Sequence, residues 1–266
     1  MSGPTTARPR LHGLPRVMQV TRIAAAGVVV TLGAVAVLPV AALTACQARH
    51  LYIAWARLLT KTALAICGVR LSVHHEAPWS TAQTVFISNH PSTLDLFVLV
   101  ALGLPNARFF LSGYLKKFLA VGILARLMGT FFTVPQTFQA ERVRIFQRAA
   151  EELRRTGESV YLSPEGERVT GGRIGPFNKG SFHLASSLGA PIQPMYFFVP
   201  PEIDPEVGFD IRPGTVHVYV KPIIDTRGWR VEDVERNRDA VLRLFEGWHR
   251  AIREAHRVAS PDVGLA

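Results

Sequence analysis

From Ile23 to Cys46 the chain runs 24 residues without a charge, IAAAGVVVTLGAVAVLPVAALTAC. No other feature constrains the fold as much, because about 20 apolar residues in a helix suffice to cross the hydrocarbon core of a bilayer. Such a segment must be covered by protein or by lipid. Its flanks are basic. The first acidic residue is Glu76, and before it stand Arg8, Arg10, Arg16, Arg22, Arg49, Arg57, Lys61 and Arg70. The whole chain of 266 residues carries a net charge of +10, so these eight account for most of the excess. Cations flanking an apolar segment suit a membrane surface with anionic lipids. A nucleic-acid binder instead sets Lys and Arg on a soluble face, often with aromatics interleaved, and no nucleic-acid partner is expected.

Three readings of the apolar stretch compete. A cleaved secretory signal fits the basic start, and Leu43-Thr44-Ala45-Cys46 resembles a lipoprotein cleavage box, but the stretch exceeds the ~7–15 residues of a signal core. A simple spanning helix fits the length. The third is a hairpin or shallow anchor broken near Pro39 and continuing into residues 49–67, with Leu51, Trp55, Leu58, Leu59 and Ala63 on one helical face. Positive charge on both flanks gives no clear sidedness. The favoured expectation is an anchor with both ends on the cytoplasmic side of the cell membrane. Cys46 and Cys67 offer neither a disulfide framework nor metal spacing.

From about Arg70, β-rich runs alternate with helical stretches, the mark of an α/β fold. Strands are expected at 69–74, 84–88, 108–112, 130–134, 159–162, 193–199 and 215–221, and helices at 92–102, 114–128, 138–155, 178–188 and 231–257. The clearest helix, from Phe138, places Val143, Phe146, Ala150 and Leu153 in one stripe and Gly157 at its end. The stretch 200–213, with four prolines, reads as a loop. The organisation expected is an anchor over 1–67, an α/β domain over 68–258 and a disordered tail over 259–266.

One strand runs into a turn and an apolar helix: Thr84-Val-Phe-Ile-Ser-Asn-His90-Pro91-Ser92-Thr93-Leu94-Asp95. Pro91 biases His90 to an extended backbone, which sets the imidazole at a strand's C-terminal end, where α/β proteins hold their active sites. The helix start beyond it favours neutral imidazole. Asp95 is placed to accept a hydrogen bond from one ring nitrogen and leave the other free as a base. Equally, Ser92-x-x-Asp95 is close to a capping box, and the spacing alone allows either role. A second group, Ser163-Pro164-Glu165-Gly166-Glu167-Arg168, follows another strand, with Lys179 at the next helix start. Glu165 suits hydroxyl groups, and Arg168 and Lys179 suit a phosphate. There is no Gly-x-Ser-x-Gly elbow, phosphate loop or Gly-x-Gly-x-x-Gly. His74-His75-Glu76 is no metal site, since neighbours on a strand face opposite ways. Neither metal nor cofactor is expected.

Asn89-His90-x4-Asp95, Gly129-Thr130-Phe131-Phe132, Pro164-Glu165-Gly166 and Ala190-Pro191-Ile192-Gln193-Pro194 resemble, in order and separation, the four blocks of the lysophosphatidate (1-acyl-glycerol-3-phosphate) acyltransferase family. The resemblance covers roughly residues 70–221. It implies a single α/β domain with a central mixed sheet flanked by helices, docked on the membrane by N-terminal helices. It also implies an acyl-CoA or acyl-carrier-protein donor, a lysolipid acceptor and direct transfer with His90 as base and Asp95 as its partner. By the same resemblance Gly129, Phe132, Glu165, Gly166, Arg168 and Lys179 would hold the acceptor, and the fourth block would shape the donor side. The family's second block usually ends in an arginine, where this chain has Pro135. Its third usually reads Glu-Gly-Thr-Arg, and here Glu167 replaces the threonine. Both changes make the acceptor pocket less cationic, so a different lysolipid, such as a lyso-aminolipid, stays open as the acceptor. A non-catalytic lipid-binding relative is the remaining alternative.

Overall fold

The computed structural model describes residues 14–204 and 210–259. Arg8, Arg10 and residues 260–266 of the tail expected over 259–266 lie outside the described residues, and Ala259 is the last residue of a helix. Seven strands form one sheet: β1 (Val69–His75), β2 (Val85–Ser88), β3 (Ala107–Ser112), β4 (Phe131–Thr133), β5 (Ser159–Leu162), β6 (Ile192–Phe198) and β7 (Gly214–Val220), in the spatial order β1-β7-β6-β2-β5-β3-β4. Each falls within about two residues of its expected place. β2, β5 and β6 are buried along their whole length, which is why they read as continuous apolar runs, as strands covered on both faces do. All pairings are parallel except β6 with β7. A parallel partner needs a long crossover, and the proline-rich stretch between β6 and β7 contains no helix among its described residues, so the chain returns antiparallel and the sheet is mixed.

Helices cover both faces. On one lie α1 (Leu14–Ala36), the short α2 (Leu38–Leu43), α3 (Arg49–Ile66), α4 (Asp95–Leu102) and α5 (Leu119–Leu127). On the other lie α6 (Gln139–Thr156), α7 (Gly180–Leu188) and α8 (Val234–Ala259). The break between α1 and α2 falls just before Pro39, as its missing N–H requires. The inner residues of α1, including Ala26, Val30 and Ala34, belong to the same apolar cluster as Val98, Phe109 and Val218. Gly33 allows the tight approach of α3, since a Cβ there would stand 2.3 Å from Leu59. At the other end of α1, Gln19 donates to the Ile211 carbonyl at 2.8 Å. The N-terminal helices and the sheet therefore share one core.

Three local expectations need correction. In α3 the inward stripe is Tyr52, Ala56, Leu59, Thr60 and Ala63, while Leu51 and Leu58 face outward. Small residues let α1 and α4 close on α3, and the larger leucines are turned away. In α6, Val143 is 55 % exposed and Ala149 joins Ala150 and Leu153 inside, because only the second half of the helix lies over the sheet. The helix expected over 114–128 is divided: a 3-10 turn (Gly113–Lys117) precedes α5, with Phe118 extended between them. The turn folds back so closely that a Cβ on Gly122 would lie 3.1 Å from the Lys116 carbonyl.

Candidate active site

The parallel strands β2, β3 and β5 and the C-terminal end of β6 finish at one edge of the sheet, and the chemistry gathers there. Beyond Ser88, the buried Asn89 bridges to β6, donating from Nδ2 to the Phe197 carbonyl (2.9 Å) and accepting from its N–H at Oδ1 (2.7 Å). This amide supplies the main-chain pairing that β6 would otherwise lack there, and it fixes where the next residue emerges. That residue is His90. Its Nδ1 lies 2.7 Å from Asp95 Oδ2, and Nε2 carries no hydrogen bond among the described residues. With Asp95 ionised, Nδ1 bears the proton and Nε2 presents a lone pair.

Asp95 is 1 % exposed. Oδ2 also accepts the Ser92 N–H at 3.1 Å, so orienting the histidine and capping the turn are done by the same oxygen. Oδ1 is buried and has no hydrogen-bond partner among the described residues. Burial pulls the imidazole down, but the hydrogen bond and charge of Asp95, with the charge of Glu165, outweigh it and hold His90 above its ordinary value, Arg168 opposing. The carboxylates of Asp95 and Glu165 thus favour the charged imidazole, against the neutral form that the helix start was expected to favour.

Glu165 ties the second loop to the first. Its Oε2 accepts the His90 N–H at 2.5 Å and its Oε1 accepts the Gly175 N–H at 2.7 Å. Each oxygen keeps one further lone pair for a substrate hydroxyl. The Val169 N–H returns to the His90 carbonyl at 2.9 Å. Gly166, with φ +74°, must be glycine, because a Cβ would stand 2.6 Å from Asn178 Nδ2. That amide closes the loop by donating to the Glu165 carbonyl at 2.9 Å. Arg168 is half-buried, close enough for its charge to act on His90, and its Nη1 is buried without a partner among the described residues.

Not every expected residue arrives. Lys179 pairs with Glu235 at the surface. Gly129 lies beside Arg49 and Arg108, at the end of the strands away from His90. Phe132 pairs with Leu111 in the sheet, under the Lys116 ammonium at 4.6 Å. Gln193, the second residue of β6, lies at that same far end, where it accepts the Ser80 N–H and donates to the Pro78 carbonyl.

Sequence reasoning missed three contributors. For Asn89, a polar residue between an apolar strand and a turn was the available signal, and Asn178 stands only as the first residue of the helix expected over 178–188. Asp204, in the proline-rich stretch, accepts from Ser92 Oγ and from the Thr93 N–H at 3.2 Å. It holds the turn between His90 and Asp95 from 111 residues away, and nothing local announces it.

An acyltransferase family model matches residues 70–198. A chloroplastic 1-acyl-sn-glycerol-3-phosphate acyltransferase of Brassica napus is 32% identical over 166 residues, covering 61% of this chain and 47% of its own. The alpha 1-acyl-sn-glycerol-3-phosphate acyltransferase of Mus musculus is 30% identical over 194 residues, covering 70% and 65%. The chain thus spans between about half and two thirds of the length of these curated relatives. The solved 1-acyl-sn-glycerophosphate acyltransferase of Thermotoga maritima has the same fold, with a TM-score of 0.65 and 20% identity over 88% of this chain and 98% of that one. The histidine–aspartate turn and the Pro-Glu-Gly loop both fall within the matched residues 70–198, and over that region the chain is similar to the acyltransferase family that includes the 1-acyl-sn-glycerol-3-phosphate acyltransferases.

Proposed function

We propose that this protein is a membrane-surface acyltransferase that moves a fatty acyl group from acyl-CoA or acyl-carrier protein to the free hydroxyl of 1-acyl-glycerol-3-phosphate. The observation that carries this reading is His90, held by Asp95 through Nδ1 with Nε2 unencumbered. Nε2 takes the proton of the acceptor hydroxyl as its oxygen attacks the thioester carbonyl. The new C–O bond forms, the C–S bond breaks, and the imidazolium returns the proton to the departing thiolate. Asp95 stabilises that imidazolium, and Glu165 acts as a positioning residue through the His90 main chain. A positioned base of this kind contributes typically ~10²–10⁴-fold.

The phosphate acceptor is supported by the similarity to 1-acyl-sn-glycerol-3-phosphate acyltransferases and by Arg168, a cation beside His90 with a buried nitrogen that has no partner among the described residues. Arg142, whose Nη1 donates to the Val134 carbonyl at 2.8 Å next to Pro135, is the nearest replacement for the missing family arginine. A second reading, a lysolipid without a terminal phosphate, is favoured by Pro135 and Glu167. An apolar cavity of ≈ 50 Å³, lined by Leu96, Phe97 and Val100 of α4 and by Val30, Leu111 and Met128, begins one residue after Asp95 and would take in a fatty chain only by opening.

The same reading puts the protein on the cytoplasmic face of the cell membrane. The stretch Arg16–Leu43 is long and apolar enough to cross a membrane, with 28% of its most apolar window buried. Val28, Leu32, Val35 and Leu43 are exposed on it. Its inner side is held against the protein at Gln19 and again at Gly33, where Trp55 Nε1 donates to the carbonyl at 2.9 Å. A helix bound along its length to a polar domain favours lying in one leaflet. An anchor that does not cross keeps its domain on the side of synthesis. The test is a panel of lysolipids incubated with purified protein and labelled acyl-CoA. Lysophosphatidate should be acylated, and His90→Ala should lose at least ~10²-fold in turnover while melting at nearly the wild-type temperature. Residual activity above about a tenth of wild type removes His90 as the base.

A further inference from the structure

On the face of the sheet away from α1, a large cleft opens between the last turns of α8 and the point where β6 and β7 part. Its volume is ≈ 870 Å³, with Phe198, Pro200, Glu202, His217, Arg250 and Arg253 among its walls. The strands part because Pro200, Pro201 and Pro213 have no N–H to continue the ladder. Arg250 and Arg253 stand one turn apart on one side of α8. Neither has a carboxylate partner among the described residues, whereas the neighbouring Arg257 is paired with Glu254 at 2.7 Å. Part of the wall is flat rings: Phe198 stacks on His256 at 4.1 Å, and His256 meets His217 at 4.5 Å.

The cleft adjoins the active site through one loop. A Cβ on Gly172 would lie 2.7 Å from Arg253 Nη1, and the Gly172 carbonyl is 2.9 Å from His249 Nε2. The same loop begins at Glu165, on the main chain of His90. The sheet sorts its sides cleanly here. Val216 and Val218 belong to the cluster under α3, whereas His217 and Tyr219 face α8. An occupant of the cleft therefore arrives from water, on the side opposite the exposed apolar residues of α1.

We infer that this cleft binds the phosphate-bearing nucleotide end of a coenzyme A thioester, whose thioester then reaches His90 past the Glu165–Gly175 loop. The inference rests on the acyl-transfer reading and selects between its two donors. Two unpaired guanidinium groups match a diphosphate in charge and geometry, and a concave wall carrying stacked rings suits a heteroaromatic base more than the surface of an acidic carrier protein.

The test uses the full-length protein and the double variant Arg250→Ala/Arg253→Ala, with Arg243→Ala as an exposed control on the same helix. Calorimetry with CoA and with 3′,5′-ADP should show at least a tenfold weaker Kd in the double variant and no change in the control. The KM for acyl-CoA should rise by a similar factor, with kcat at saturating donor and acceptor KM within about twofold of wild type. Should Arg253→Ala disturb Gly172 and folding, Arg250→Gln alone, at an exposed position, gives the same direction with a smaller factor. Unchanged CoA binding overturns the inference. So does a loss confined to acyl-carrier protein, which marks a protein-docking surface, or a loss confined to sedimentation with anionic vesicles, which marks a lipid-headgroup site. CoA binding that depends on Arg250 and Arg253 in a protein that acylates no lysolipid would refute the proposed reaction and leave the cleft assignment standing.

Discussion

The two faces of this sheet are buried alike and clothed differently. Toward α1 and α3 the covering helices turn Val28, Leu32, Val35, Leu51 and Leu58 outward. Toward α6 and α8 they turn outward Arg155, Arg236 and Arg257. The inner contacts are equally apolar on both sides, so core packing says nothing about which environment each side meets. The outer surfaces of the covering helices decide that, one suited to lipid and the other to water. His90 stands at the edge where the two sides meet, which is where the proposed transfer from a water-soluble donor to a lipid acceptor needs its base.

The comparison breaks first at the edge itself. Asp95→Asn should lower kcat on the order of 10²-fold or more, with a smaller change in acceptor KM, because it disturbs the histidine's tautomer and the stabilisation of its cation. The pH profile adds a sign. His90 must be neutral to act, so kcat/KM rises with pH through its pKa, and in the wild type that midpoint lies above the ordinary imidazole value. Asp95→Asn removes the main raising influence and leaves burial, so the midpoint must move down. Full activity with a lowered melting temperature would mean that Asp95 only caps the turn.

The lipid side breaks next. Leu32→Glu, Val35→Glu and Leu43→Glu change exposed side chains and leave the shared core intact, whereas deleting residues 1–66 would strip the sheet of its cover. Burying each such apolar side chain is worth roughly 1.5–3 kcal/mol, so the triple variant should leave vesicles in flotation assays while retaining its far-ultraviolet spectrum. Leu244→Glu on α8, also exposed, should remain bound. Equal release by both would end the distinction between the faces.

Arg168→Ala sharpens the acceptor assignment. It should raise the KM for lysophosphatidate about tenfold, a loss of roughly 1.4 kcal/mol, with little change in donor KM. If wild-type protein ignores lysophosphatidate and the variant uses another lysolipid unchanged, the phosphate reading fails. The smallest effect is expected at Val143→Ala on α6, within about 0.5 kcal/mol of wild type for an exposed side chain. Leu153→Ala on the same helix should lose about 2–5 kcal/mol, and guanidinium denaturation reads both.

Sequence alone determined the strands and the turn that carries His90 and Asp95. Strand composition marked seven strands, because β2, β5 and β6 are covered on both faces and show it as unbroken apolar runs. Pro91 and the five-residue step from His90 to Asp95 lie within one turn, where local geometry suffices to bring imidazole and carboxylate together. The break before Pro39 was legible for the same reason, since proline acts on its own backbone. What only the tertiary structure decided involves partners distant in the chain. Val143 and Leu51 belong to periodic apolar patterns, yet face outward, because periodicity defines a stripe and only the neighbouring helices settle which side of it is covered. Lys179 and Gly129 follow blocks that run in order along the chain, but order does not say which end of the sheet each block reaches. The hold of Asp204 on the turn after His90, the pull of two carboxylates on the imidazole, and the meeting of Arg253 with Gly172 all depend on the closed fold, where burial strengthens charge and brings together residues that share no local pattern.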